Sequence, residues 1–283
     1  MPTADAIRWF KTQFETQIED AVAGTPFSVD MLTAIACQET GPTWNALRKK
    51  GLPTAQILAL CVGDTIDAPG RSAFPTGKAA LLAEPDGQAM FDLARQSLVD
   101  MAAHIPPYQP AAAKPNKFCR GFGVFQYDLQ FFKVDPQYFL QRRYADFDAS
   151  LAKAVGELKT KLKKLGWQAK SQLTDYEMAA VAIAYNTGGF KPDRGLKQGH
   201  FDGSKYYGEA MFDFLRLAHT VVADSVVAPP APPPGISVLP VVAPVSATGA
   251  TYTLKVLASV LNVRSSPEIP ADKPTSNIIA TLP

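Results

Sequence analysis

Cysteine and histidine are both scarce in this chain, with three of each among 283 residues. Cys37, Cys61 and Cys119 are odd in number and form no C-x-x-C pair, so neither a disulfide framework nor a zinc spacing is implied. Cys37 sits in an apolar segment and Cys61 follows the run ILAL; both read as buried core thiols, and no local nucleophile signature surrounds any of the three. His104, His200 and His219 stand apart without ligand spacing, so no metal and no cofactor is expected. An excess of charge is also missing. Lys and Arg number 28 against 26 Asp and Glu, and a net charge of +2 is too mild for nucleic acid as the main partner, although it tolerates an anionic polymer. No apolar run approaches membrane-spanning length. The start, MPTADAIRWFKTQF, has neither the charged region, the apolar core nor the small-residue cleavage site of a secretory signal.

What is present is helix after helix. Ile7, Phe10, Phe14, Ile18 and Val22 form one apolar stripe; Met90, Leu93, Ser97, Leu98 and Met101 form another; Leu151, Val155, Leu158, Leu162 and Leu165 form a third that stops at Gly166. The polar face of the third carries Lys153, Lys159, Lys161, Lys163 and Lys164, as a solvated face does. Thr174 and Glu177 make a capping-box signature before a segment, Met178 to Ala184, that is apolar all round and therefore central. Ser204 is expected to cap a last helix with Tyr207, Met211, Phe214 and Ala218 on one face. The stretch Gly63 to Pro85 has no periodicity and reads as a long irregular loop. Beyond it all, APPAPPPGISVLPVVAPV marks a polyproline-like linker, after which Leu254, Val256, Leu261 and Val263 alternate with polar residues as in strands. The fold class is therefore mainly α: a helical domain over 1–222, a Pro-rich linker over 223–250 and a short β segment over 251–283.

Three short segments carry chemistry. Around AIACQET, Ser28 is read as the N-cap, Asp30 suits the first turn, and Gly41-Pro42 is expected to end the helix. Leu32, Ile35, Ala36 and Glu39 fall at i, i+3, i+4 and i+7, which puts a carboxylate on the apolar stripe. Desolvation and a position in the last helical turn both predict a raised pKa, as a glycosidic general acid requires. A Glu near a helix end is more often a solvated or ion-paired residue. In GFGVFQYD, Gly121 and Gly123 permit unusual backbone conformations and close approach of a sugar, and Gln126 offers both a donor and an acceptor. A nucleotide-binding loop is disfavoured, because Gln replaces the third Gly and no strand is expected before it. In AIAYNTGG, Tyr185 and Asn186 close a helix before Gly188 and Gly189, either as a plain stop or as contacts to a sugar.

In that order, Gln38-Glu39-Thr40, Gly121 to Gln126 and Ala184 to Gly188 resemble the Q-E-[ST], G-x-G-x-x-Q and A-Y-N-x-G motifs of the soluble lytic transglycosylase and goose-type lysozyme superfamily. The resemblance covers most of residues 20 to 190. It implies a lysozyme-like domain that cleaves the β-1,4 bond between N-acetylmuramic acid and N-acetylglucosamine in peptidoglycan. Glu39 would be the general acid, and Gly123, Gln126, Tyr185 and Asn186 substrate contacts. Asp128 matches an acid that follows the glutamine in goose-type enzymes, and is the candidate second catalytic residue. A further acid expected upstream is missing, since nothing between Ile105 and Tyr127 is Asp or Glu. Asp64 and Asp67 are the nearby substitutes. LNVRSSP at Leu261 to Pro267 is similar to the first half of a bacterial SH3-type module, whose complete barrel needs more strands than follow here. The implied partner is peptidoglycan glycan strands, in the cell wall or periplasm, reached by phage lysis or a dedicated secretion machine; nothing identifies an inhibitor or immunity protein. Chitin or chitosan as the polymer, and a non-catalytic wall-binding protein on the same scaffold, are the competing expectations.

Overall fold

The computed structural model describes residues 3–66, 71–224, 261–264 and 278–282. The chain divides into two compact units, Met1–Ala228 and Pro229–Pro283. Ten α-helices and a small sheet make up the described part of the first unit, so this unit is mainly α. In chain order these are α1 (Ala4–Val22), α2 (Val29–Lys49), α3 (Thr54–Leu60), β1 (Val62–Ile66), α4 (Lys78–Leu82), α5 (Gly87–His104), α6 (Gln109–Ala112), β2 (Phe118–Phe122), β3 (Tyr127–Asp128), α7 (Pro136–Leu140), α8 (Phe147–Lys164), α9 (Asp175–Thr187) and α10 (Tyr207–His219).

Apolar periodicity accounts for most of the packing. Ile7, Phe10, Phe14, Ile18 and Val22 of α1 are all buried, and burying each contributes about 1.5–3 kcal/mol. Phe14 stacks on Phe147 of α8 at 3.9 Å between ring centroids, and Phe10 meets Trp44 of α2 at 5.4 Å. Met178 to Ala184 of α9 are buried without exception, which makes this helix the centre of the unit. Its capping box is present, with the Glu177 amide donating to Thr174 Oγ1 and the Thr174 amide to Glu177 Oε2. The buried face of α10 includes Tyr207, Met211, Phe214 and Ala218 as expected. Its N-cap is Tyr206 rather than Ser204, because Glu209 reaches back to the Tyr206 amide at 3.0 Å.

Helix α2 corrects the sequence expectation most consequentially. Ser28 caps it, accepting from the Met31 amide at 3.1 Å, but Gly41-Pro42 does not end it. Pro42 removes only the N–H that would have reached the Gln38 carbonyl, at a cost of about 3 kcal/mol. Continuing the helix buries Trp44 and Leu47, at 1% and 0% exposure. Together these are worth about 4–6 kcal/mol, which exceeds the proline penalty. The Trp44 indole also donates to the Ala36 carbonyl at 3.1 Å. Glu39 therefore stands in mid-helix, ten residues before the last helical residue, Lys49. The negative end of the helix dipole, which falls off within the last turn, does not act on it.

The stretch Gly63 to Pro85 is not uniformly irregular either: β1 opens it and α4 lies near its end. Strand β1 pairs antiparallel with β2, and β2 with β3, in the order β1-β2-β3. A strand thus does lead into the Gly-rich turn. Five-residue and two-residue strands containing glycine show too little alternation to be read from sequence. In the second unit, β4 (Leu261–Arg264) pairs antiparallel with β5 (Ile278–Leu282), with Leu261 opposite Leu282. The alternating pair Leu254 and Val256, most of the proline-rich linker and Asp67 lie outside the described residues. Among the described residues no helix is long and apolar enough to cross a membrane.

One ionic cluster fastens the helices together. His219 on α10 places Nδ1 2.6 Å from Asp30 of α2 and Nε2 3.0 Å from Asp175 of α9. The buried Lys11 of α1 pairs with Asp30 and donates to the carbonyls of Ala218 at 2.9 Å and Val221 at 2.7 Å. Only the imidazolium can donate to both carboxylates. Burial pulls the His219 pKa down, but the bonds to Asp175 and Asp30 outweigh it and the net shift is upward. Stability from this group is therefore complete below its unfolded pKa, about 6.5, and is lost as pH rises through the higher folded value. The melting temperature of the wild type should fall as pH is raised from about 6 to about 8.5, and His219→Gln should flatten that slope. Equal slopes for the two proteins would show that the cluster does not titrate.

Candidate active site

The three sequence segments converge on a single turn. Between β2 and β3, three successive carbonyls each accept a hydrogen bond from a different side chain. Gly123 O accepts from Gln126 Nε2 at 2.9 Å, Val124 O from Thr40 Oγ1 at 2.7 Å, and Phe125 O from the Tyr185 hydroxyl at 2.6 Å. Thr40 comes from the Glu39 helix and Tyr185 from the end of α9, so the turn locks the three segments to each other. The Gly123 carbonyl also accepts from the Gln126 backbone amide at 3.0 Å, so the buried loop keeps its carbonyls satisfied.

The glycines have reasons that differ from close approach of a ligand. Gly63 and Gly121 face each other across β1 and β2. Neither has a side chain, and the Gln126 amide fills the gap. A Cβ added at Gly121 would lie 2.2 Å from Gln126 Oε1, and one at Gly63 would lie 2.8 Å from it. Gly121 is extended strand, not a special turn residue. Gly123 does need the left-handed region, at φ +80°, and an added Cβ would meet Ser150 Oγ at 2.7 Å and the Tyr144 carbonyl at 2.9 Å. It is buried behind the turn and does not line the cleft described next, contrary to its expected place among the substrate contacts.

Beside this turn a cleft of about 420 Å³ opens, lined by Glu39, Gln126, Asp128, Tyr185 and Asn186 together with Arg71, Arg120, Glu157 and Lys161. Glu39 is half-buried, and its Oε1 accepts a 2.8 Å hydrogen bond from the Tyr207 hydroxyl at the start of α10. Burial pushes the Tyr207 phenol well above its ordinary pKa, and the Glu39 carboxylate adds to the shift. The same two causes, in the same order, act on Tyr185. Both phenols therefore remain neutral donors over the working pH range. Tyr207 is held by its own surroundings: its amide donates to the His200 carbonyl at 2.8 Å, and Gly199, at φ +85°, leaves room for it where a Cβ would fall 2.5 Å from the Tyr207 Cβ.

Four of the expected site residues thus reach the cleft alongside Glu39, but their free valences differ. Gln126 spends its amide donor on Gly123, with a weaker 3.5 Å contact to the Cys61 carbonyl. Tyr185 spends its proton on Phe125. Asn186 is exposed, and its side chain makes no hydrogen bond among the described residues, so its amide is available to a ligand. The helix runs one residue beyond it to Thr187, with Gly188 at φ +84° as the cap.

Asp128 is an ionic anchor. Arg71 grips both its oxygens, through Nη1 at 3.1 Å to Oδ2 and Nη2 to Oδ1, and Arg120 adds a 2.8 Å bond to Oδ2. Oδ1 also accepts from the Gln130 amide at 2.7 Å. Arg71 in turn ties down its own loop by donating to the carbonyls of Ala73 and Phe74. Both oxygens of this carboxylate are thus taken up by donors from the Arg71 loop, β2 and the Gln130 amide, and the side chain ties these parts together.

Sequence reasoning missed Glu157, Arg71 and Arg120 as cleft residues, and Tyr207 as the buried partner of Glu39. A phenol on a buried helical stripe must find a polar partner for its hydroxyl, a signal that names no partner. Glu157 forms an i,i+4 pair with Lys161 at 3.4 Å, so the lysine-rich face is not wholly solvated. Arg71 lies in a stretch without any period. The three cysteines are buried and none forms a disulfide; burial pushes Cys37 upward and raises Cys61 to about 12. Cys37 and Cys61 are thereby held as thiols, the poorly nucleophilic form. Among the described residues no group of three or more His, Cys, Asp or Glu side chains could hold a metal ion. The chain matches no protein-family model, and neither the curated proteins nor the solved structures contain a match to it.

Proposed function

We propose that the cleft cleaves the β-1,4 bond between N-acetylmuramic acid and N-acetylglucosamine in peptidoglycan, on a lysozyme-like helical domain, with Glu39 as the general acid. The observation that carries this reading is a carboxyl on a buried helix, aimed into an open polar cleft and oriented by a neutral tyrosine. Tyr207 donates to Oε1 and so orients the carboxyl, whose proton is the transferable one. Glu39 gives this proton to the bridging oxygen as the C1–O bond breaks and an oxocarbenium-like centre develops on the muramic residue. Gln126 and Asn186 contribute polar contacts along the glycan. The C-terminal segment, by its similarity to part of a bacterial SH3-type module, would hold the protein to the wall and raise the local concentration of strands.

The second half of the reaction is best read as internal. Asp128 is committed to two arginines, which disfavours it as the base that activates water. In a transglycosylase the muramic 6-hydroxyl adds to C1 and returns its proton to the Glu39 carboxylate. This restores the acid, consumes no water and leaves a 1,6-anhydro end. Mass spectrometry of digests of purified peptidoglycan tests the proposal: anhydro-muropeptides are expected. Reducing ends would mean that water attacks, and would turn attention to Glu157, the other cleft carboxylate among the described residues. No released fragment at all would remove the peptidoglycan-cleaving assignment.

A further inference from the structure

Thr187 lines the cleft and also one edge of a neighbouring groove of about 430 Å³. Phe190, Lys191, Arg194, Lys197 and Tyr206 line this second groove around Gln198. Gln198 is only 7% exposed and clamps the segment shut. Its Oε1 accepts from the Lys191 amide at 2.9 Å, while its Nε2 donates to the carbonyls of Lys191 at 2.8 Å and Gly195 at 2.6 Å. Three cations are thereby presented from a closed loop rather than from a mobile tail.

Their lack of ion pairing distinguishes them from the cations of the cleft proper. Arg71 and Arg120 are both paired with Asp128, and Lys161 with Glu157. Lys191, Arg194 and Lys197 are exposed and have no ion-pair partner among the described residues; Asp193, the loop's own carboxylate, pairs with none of them. Excess positive charge is thus concentrated at one end of the cleft, where it attracts anions and where mutual repulsion is relieved when an anion binds. Phe190 and Tyr206 add apolar surface beside the cations. A ligand that matches both carries carboxylates spaced along short aliphatic stretches, as a small acidic peptide does.

We propose that this groove binds the carboxylate-bearing peptide stems of the strand held in the cleft, so that the protein prefers peptide-substituted glycan to bare glycan. The inference rests on the peptidoglycan reading above and adds a second subsite to it. Binding is read with two soluble probes, the disaccharide N-acetylglucosaminyl-N-acetylmuramic acid with and without its tetrapeptide, and cleavage with intact peptidoglycan and with amidase-stripped strands. The wild type should bind the peptide-bearing probe about 10-fold more tightly than the bare one, the size of three exposed ion pairs acting together, and the gap should shrink as salt is raised. Lys191→Ala/Arg194→Ala/Lys197→Ala removes only exposed side chains and should melt with the wild type. It should lose the binding preference and cleave intact peptidoglycan about 10-fold more slowly, while stripped strands are cleaved as before. Equal binding of the two probes by the wild type, a preference that survives in the triple variant, or stronger competition by linear polyphosphate than by free tetrapeptide would each overturn the proposal. The two readings separate cleanly. Peptide-dependent binding without any cleavage retains the groove and removes the glycosidase, whereas cleavage with no peptide preference does the reverse.

Discussion

Glu39→Gln should lower the rate of glycan cleavage by about 10²–10⁴-fold while shifting the melting temperature by no more than about 2 °C. The side chains are nearly isosteric, and the amide oxygen can still accept the Tyr207 hydroxyl, so helix α2 and the cleft wall keep their shape. What disappears is the transferable proton, without which the leaving sugar must depart as an alkoxide. Initial rates on purified peptidoglycan and a thermal melt of the same preparation check both halves. A variant that retains activity within about 5-fold of the wild type would remove Glu39 from general-acid catalysis. One that fails to fold would instead show that the carboxylate is needed for structure.

Asp128 should give the opposite pattern. Asp128→Ala leaves two guanidiniums facing each other at a largely enclosed site and removes the acceptor for the Gln130 amide. Arg71 and Asp128 side chains are 15% and 18% exposed, so the loss is moderated by solvent but still about 2–3 kcal/mol. Removing Arg71 as well should recover part of it: Arg71→Ala/Asp128→Ala is expected to be less destabilised than the sum of the single changes by about 1–2 kcal/mol. Asp128→Asn keeps the shape and one of the two acceptor oxygens, and should retain cleavage within about 10-fold on the folded protein. Denaturant titration of the cycle measures the coupling. If Asp128→Asn abolishes cleavage as thoroughly as Glu39→Gln, Asp128 takes part in the reaction and the internal route to an anhydro sugar loses its main support.

The helices were legible because they repeat. Stripes such as Ile7 to Val22 and Leu151 to Leu162 sit where the period put them, and the Thr174 box and the Gly166 stop are chemical punctuation that tertiary packing did not override. Pro42 misled because a local penalty was weighed without the burial of Trp44 and Leu47 beyond it, a sum that needs the neighbouring helix. The sheet was invisible because its strands are short and two facing positions are glycine. Within the site, the positions of Glu39, Gln126, Tyr185 and Asn186 followed from motif order, but their bonding did not. Which atoms of Gln126 and Tyr185 are spent on backbone, and which of Asn186 remain for a ligand, depends on contacts between distant segments. Tyr207 shows the same limit, since it was placed correctly on a buried face and read only as packing.

Three of the bonds that shape the cleft each span a long loop of chain. Thr40 meets Val124 across 84 residues, Tyr185 meets Phe125 across 60, and Tyr207 meets Glu39 across 168. Such closures come at the expense of chain entropy and form together rather than one by one. No stretch shorter than 39 to 207 contains both the acid and the phenol that orients it. Whatever cell makes this chain therefore carries the oriented acid only once a whole domain has closed, and an unfinished or nicked copy is without it.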